Sequence, residues 1–210
     1  MRAKLPGIDD TLGYGLFLCA GIFTWGYFTE VLNRCLTIFI DQANLLKKSP
    51  FPRTSLPLIA LLSSTVNFGI VICLFLLFLA LTSRFPGPAL LAMVPLLLIQ
   101  QALAVGLGVL LGTLNVFFRD VGQFTGIVLQ FWFWLTPIVY PSTILPERFR
   151  GLIETWNPLA RIMAGYQAIV LTGEWPEPSD YTMHALLALG SLILGFVAFR
   201  RLSGEMVDEL

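Results

Sequence analysis

Few side chains in this chain of 210 residues could do chemistry, and the most informative set stands in one apolar run. Gln130, Trp132, Trp134 and Tyr140 lie in NVFFRDVGQFTGIVLQFWFWLTPIVYP, residues 115–141. An amide and three aromatic tips offer hydrogen bonds and ring faces, but no carboxylate or imidazole to move a proton. Steps of about 100° along a helix put Gln130 and Trp134 on one side, with Phe131 and Phe133 about 160° apart. Tyr140 suits a membrane interface, where amphipathic rings sit at headgroup level. Trp132 lies about 12 Å deeper along a helix. The interfacial belt therefore accounts for Tyr140 and not for Trp132 or Trp134. Phe131 is expected to be a packing ring, with Phe131→Ala costing about 3–5 kcal/mol of stability on burial.

Ionisable groups within apolar sequence are scarce. Glu30 and Arg34 stand four apart on one helical face and can pair. A charge near the membrane centre costs about 2.5–3.5 kcal/mol on insertion scales, so such groups face protein or water. His184 is alone, and Cys19, Cys35 and Cys73 fall in apolar runs without a C-x-x-C pair. They read as buried inert thiols, with neither a metal site nor a disulfide framework. None of the three lysines follows a glycine, so the chain has no P-loop for a nucleotide. Nothing here points to a catalytic set, a metal or a cofactor.

The elements that must position these groups are apolar helices. Charged residues make up 12% of the chain, about half the roughly 25% of a soluble domain, and mean hydropathy is +0.79. Thirteen basic and thirteen acidic residues cancel, which argues against nucleic acid as a partner. Runs long enough to cross a bilayer of about 30 Å occur at 11–29, continuing helically to 40, and at 54–83, 85–118, 121–140 and 181–199. The fold class is all-α: a polytopic transmembrane bundle of five spans, with a re-entrant helical hairpin before the last. In that hairpin Pro146 opens PERFRGLIETW, Asn157-Pro158 ends it and starts LARIMAGYQAIVLTG, and Gly173 stops the second helix. Ile162, Tyr166, Ile169 and Val170 share one face of it. Gly108-x-x-x-Gly112 and Gly122-x-x-x-Gly126 let helix backbones approach closely, within the bundle rather than at a dimer seam.

Basic residues orient the spans. Lys47, Lys48, Arg53, Arg119, Arg200 and Arg201 fall on one side, and Arg84 on the other. The positive-inside rule makes the C-terminus cytoplasmic and the N-terminus external, with Arg2 and Lys4 in mild conflict. In the basic loop, DQANLLKKSPFPR, Asp41 is expected to cap a short helix that runs through Asn44, Leu45, Leu46, Lys47 and Lys48 before Ser49-Pro50 stops it.

Three stretches together resemble the permease subunits of type-2 ABC exporters that move polysaccharides: 41–53, LNVFFRDV at 114–121, and 131–173. The nearest branch is that of lipopolysaccharide O-antigen, teichoic-acid and capsule exporters. The resemblance covers nearly the whole chain, read as a single permease domain over 1–210. It implies a second copy of the chain, a separate ABC ATPase partner and a lipid-linked glycan cargo, in the lipid of the cytoplasmic (inner) membrane. It implies that 41–53 docks on the ATPase and that 142–173, with Trp156, Asn157, Pro158 and Tyr166, forms an external gate. The span at 121–140 would line the path. Family permeases have six spans and an N-terminal amphipathic helix; by the resemblance, residues 1–10 correspond to the loop between spans one and two, so that the amphipathic helix and first span are expected to be missing here.

The expected function is thus the transport subunit of an ATP-driven glycan exporter, not an enzyme. An amide beside a large ring suits a moving sugar chain, whose contacts must be weak and repeated if it is to advance. A permease for drugs or small lipids shares this architecture and is the first alternative. A membrane-bound glycan-modifying enzyme is the second, weakened by the scarcity of intramembrane carboxylates.

Overall fold

A computed structural model describes residues 11–44, 54–177 and 181–209 of the chain. Every regular element among them is helical. Helix α1 is Thr11–Asp41, α2 Ser55–Leu81, α3 Met93–Phe117 and α4 Asp120–Leu135. Helix α5 is Glu147–Trp156, α6 Pro158–Thr172, α7 Thr182–Leu202 and α8 Met206–Glu209. Four segments are long and apolar enough to cross a membrane: Leu12–Asp41, Ser55–Leu81, Gly87–Phe117 and Thr182–Leu202. In lipid a helix satisfies every backbone polar group within itself, which is why such sequence has few alternatives.

The fifth expected span is shorter than its apolar run. Helix α4 has 16 residues, about 24 Å at a rise of about 1.5 Å per residue, against a bilayer core of about 30 Å. It ends because of Pro137. The residue before a proline is driven out of the helical region, and Thr136 is extended, with φ −96° and ψ 133°. Asp41, expected to cap the next helix, is also the last residue of α1; after a turn at Gln42 the backbone is helical again at Ala43 and Asn44, where the described residues stop. The Gln42 amide still donates to the Ile38 carbonyl at 3.0 Å, so the helical hydrogen bonding of α1 runs past the expected cap.

Helix α3 is the centre of the bundle, packed along α7 on one side and α1 on the other. Glycines make both contacts possible. A Cβ on Gly106 would run into the backbone at Ser191 and Leu192. One on Gly108 would lie 2.6 Å from the Cys35 Cβ, and one on Gly112 would strike the Cys35 carbonyl. The Gly108–Gly112 pair is therefore a seam inside the bundle, as expected. Gly126 differs, because nothing lies within 4 Å of where its Cβ would be. Gly112→Val should lower the unfolding midpoint of the purified protein by the equivalent of about 1–3 kcal/mol or more, since backbone cannot step aside as a side chain can. Gly126→Ala should stay within about 0.5 kcal/mol of the parent.

Several polar side chains inside the bundle are paired across helices. Tyr27 and Thr65 share a hydrogen bond of 2.9 Å, and Gln101 Nε2 donates to the Tyr27 hydroxyl at 2.6 Å. Fully buried Gln100 donates to the Thr24 carbonyl at 2.7 Å. Among membrane helices, where lipid tails are as apolar as the core, such bonds and close packing hold neighbours together.

Candidate functional site

The C-terminal half of α4 meets the middle of α1 in an open cleft of about 380 Å³. Trp25, Thr29 and Asn33, four residues apart along one face of α1, form one wall. Gly126, Leu129, Gln130, Phe133 and Trp134 of α4 form the other. The bare backbone at Gly126 widens the cleft. Trp134 is 61% exposed, while Phe133 is pinned edge-on between Trp25 and Trp134 at 5.6 and 5.4 Å between ring centres. No lining residue is ionisable. The cleft can donate and accept hydrogen bonds and offer ring faces, but it holds no group for acid–base or nucleophilic work.

Trp132 points away from this cleft. Its ring packs edge-on against Trp25 and Phe28, at 6.3 and 5.6 Å. It also lines a second cavity of about 420 Å³ with Leu135, Leu152, Ile153, Trp156, Asn157 and Pro158. Its indole Nε1 donates to Asn157 Oδ1 at 2.9 Å. Asn157 Nδ2 donates to the Thr136 hydroxyl at 2.9 Å, which donates in turn to the Trp132 carbonyl at 2.8 Å. The same Asn157 oxygen caps α6 by accepting from the Leu159 amide at 3.1 Å. Pro158 at the first helical position and Gly173 at φ +67° complete the ends of α6 as its sequence predicts.

Past the end of α4 the chain is irregular but enclosed. Gln167 of α6 reaches the Pro137 and Ile138 carbonyls at 3.4 and 3.5 Å, and the Tyr14 hydroxyl donates to Val139 at 3.3 Å. Tyr140 does not line the cleft; its hydroxyl donates to the Trp134 carbonyl at 2.9 Å and caps the helix end. Non-helical backbone at membrane depth is tolerated where protein covers it, and these side chains supply that cover.

The two hairpin helices are unequal. Helix α6 is part of the core, with Leu159, Ile162, Met163, Tyr166 and Ile169 all nearly inaccessible. Tyr166 therefore anchors the hairpin from within, whereas Trp156, 74% exposed, stands at its rim. Helix α5 buries no residue and carries a surface Arg150–Glu154 pair at 3.0 Å.

The other predicted residues divide as follows. Gln130 and Trp134 come together in the cleft, Trp132 joins Asn157 and Pro158 under the hairpin, and Tyr140 stands apart from both. Phe131 is 68% exposed, so the expectation of a buried packing ring is corrected. It points away from the bundle, because α4 leans on α1 and α3 by its opposite side. Glu30 and Arg34 pair at 3.0 Å, and Asn67 of α2 donates to the same carboxylate oxygen at 3.0 Å. Asn44 is exposed just beyond α1; Leu45, Leu46, Lys47 and Lys48 lie outside the described residues. No cluster of potential metal ligands occurs among the described residues. Sequence reasoning missed the α1 wall, although the spacing of Trp25, Thr29 and Asn33 was readable, and it missed Thr136, Gln167 and Asn67 as partners.

Two proteins of Klebsiella pneumoniae named O-antigen export system permease protein RfbA are each 32% identical over alignments spanning 100% of this chain and 78% of their own length. A Myxococcus xanthus protein of the same name is 28% identical over 92% of this chain and 72% of its own. The model of the ABC-2 type transporter family matches residues 3–171. Its membrane subunits work with a partner ATPase, and the apolar helices make this one a multi-pass membrane protein. The chain is a transport subunit, not an enzyme, and it belongs to the ABC-2 type transporter family.

Proposed function

We propose that the chain is the membrane subunit of an ATP-driven exporter that carries a lipid-linked polysaccharide, of the O-antigen kind, across the cytoplasmic membrane. Two copies stand side by side in the lipid, each bound to an ATPase through 41–53, with the C-terminus on the cytoplasmic side. The α1–α4 cleft lines the path, and 142–173 forms the gate at the external face. The observation that carries this reading is the uncharged cleft in which Thr29, Asn33 and Gln130 alternate with the rings of Trp25, Phe133 and Trp134. A polymer of hydroxyls and C–H faces can step along such a surface without being held, whereas a fixed charge would trap or repel an ionic group. Lipid surrounds the exposed apolar faces of α2 and α7.

Complementation tests the reading. A strain deprived of its own O-antigen permease, given this chain with its ATPase, should regain surface glycan, and an ATPase-dead partner should abolish the gain. Gln130→Leu, which keeps bulk and removes the amide, should cut surface glycan per folded transporter by about 3- to 10-fold. No surface glycan, together with ATP-dependent efflux of a hydrophobic dye, would assign the chain to the drug and lipid permeases instead.

A further inference from the structure

Capping α6 needs only the side-chain oxygen of Asn157, yet that side chain does more. Its oxygen also receives the Trp132 indole N–H, and its nitrogen holds the Thr136 hydroxyl, both at 2.9 Å. The residue is thus the hinge between α5 and α6 and at the same time the tie from that hinge to the last turn of α4. Trp132 is pre-aimed for this bond, because Trp25 and Phe28 hold its ring edge-on. Beside the tie, α5 stands off from α4 across the cavity of about 420 Å³ lined by Leu135, Leu152, Ile153 and Trp156. Helix α5 buries nothing, so it is the half of the hairpin that can swing, whereas α6 is locked in the core.

We infer that Asn157 is a positioning residue that latches the hairpin to α4 through Trp132, so that α5 opens when this hydrogen bond breaks and closes when it re-forms. The inference rests on the reading of 142–173 as the external gate. Trp132 neighbours Phe133 in sequence, and both rings pack on Trp25. Cargo that displaces Phe133 in the cleft therefore disturbs the ring that carries the latch. A neutral hydrogen bond shifts a two-state equilibrium by about 2- to 12-fold. That is enough to keep an empty gate mostly shut and little enough to be undone in each cycle.

The test uses the permease–ATPase complex in liposomes and reads potassium leak without ATP. Trp132→Phe keeps a ring and loses the N–H. Asn157→Ser keeps a good cap and loses the reach to Trp132. Each should raise resting leak by about 3- to 10-fold, and the double variant should leak no more than the worse single one. Asn157→Asp, which retains an acceptor for Trp132, should fall between the parent and Asn157→Ser. Parental leak in both single variants, or a double variant whose effect is the product of the two, overturns the latch; a capping role alone leaves Asn157→Ser unchanged. Should a variant not be recovered folded, Leu135→Cys with Ile153→Cys, in a background where Cys19, Cys35 and Cys73 are Ala, can be bridged by a cleavable bismaleimide. Export should stop until the bridge is cut, and undiminished export across the bridge overturns the latch. The cleft reading fails separately, through unchanged export in Trp134→Ala with the leak coupling intact.

Discussion

Replacing Trp134 by Ala should lower glycan export per folded transporter by about tenfold, equivalent to roughly 1.4 kcal/mol of lost stabilisation. The ring is 61% exposed in the cleft and meets Phe133 edge-on, so truncation should change stability by less than about 1.5 kcal/mol. Its backbone carbonyl continues to accept from Tyr140 whatever the side chain. Trp25→Ala is the contrasting case. That ring is 9% exposed and touches Phe28, Trp132 and Phe133, so its loss leaves a void at the root of the cleft and behind the Trp132 ring. Large-to-small changes of this kind cost about 3–5 kcal/mol in water-soluble cores. In lipid the transfer part shrinks and the packing part remains, so a loss of about 2 kcal/mol or more is expected. Surface glycan measured beside the thermal midpoint separates the two residues, and equal export in Trp134→Ala and the parent would remove the cleft from the path.

The joint substitution of Leu45 and Leu46 by Asp should abolish recovery of the permease with its ATPase and, with it, stimulated ATP hydrolysis. The basis is a short apolar pair between Asn44 and Lys47-Lys48, followed by Pro50 and Pro52. Central apolar anchors of an interface cost about 2 kcal/mol or more each when lost, and two carboxylates placed there add desolvation. Co-purification would weaken by about a thousandfold in affinity. Normal membrane insertion with undiminished co-purification would place the docking segment elsewhere.

Much of the architecture was legible in the order of residues. The apolar run at 54–83 became Ser55–Leu81, and that at 181–199 became Thr182–Leu202. The hairpin showed itself through Pro146, Asn157-Pro158 and Gly173: proline fixes φ near its helical value at a helix start, and glycine takes the left-handed conformation that ends one. The face of α4 was half legible. Helical geometry alone placed Gln130 with Trp134, but it could not say whether Phe131 met protein or the outside. In a soluble helix, polar residues mark the outer face. In a membrane both faces are apolar, so periodicity does not tell buried from exposed.

What the sequence by itself determined is a helical chain in lipid, its punctuation, and the scarcity of reactive groups. These follow from local rules: backbone satisfaction in hydrocarbon, proline and glycine geometry, and the cost of intramembrane charge. Only the tertiary structure decided that α1 supplies the second wall of the cleft, that Asn67 shares the carboxylate of Glu30, and that Trp132 is tied to Asn157. Asn67 stands 37 positions from Glu30, and Asn157 stands 25 from Trp132. Several amides and hydroxyls in these helices could have served as partners. The choice among them was made by how the helices pack; the close approach of backbones at Gly106, Gly108 and Gly112 brings α1, α3 and α7 together, and α2, α4 and the hairpin lie against that frame.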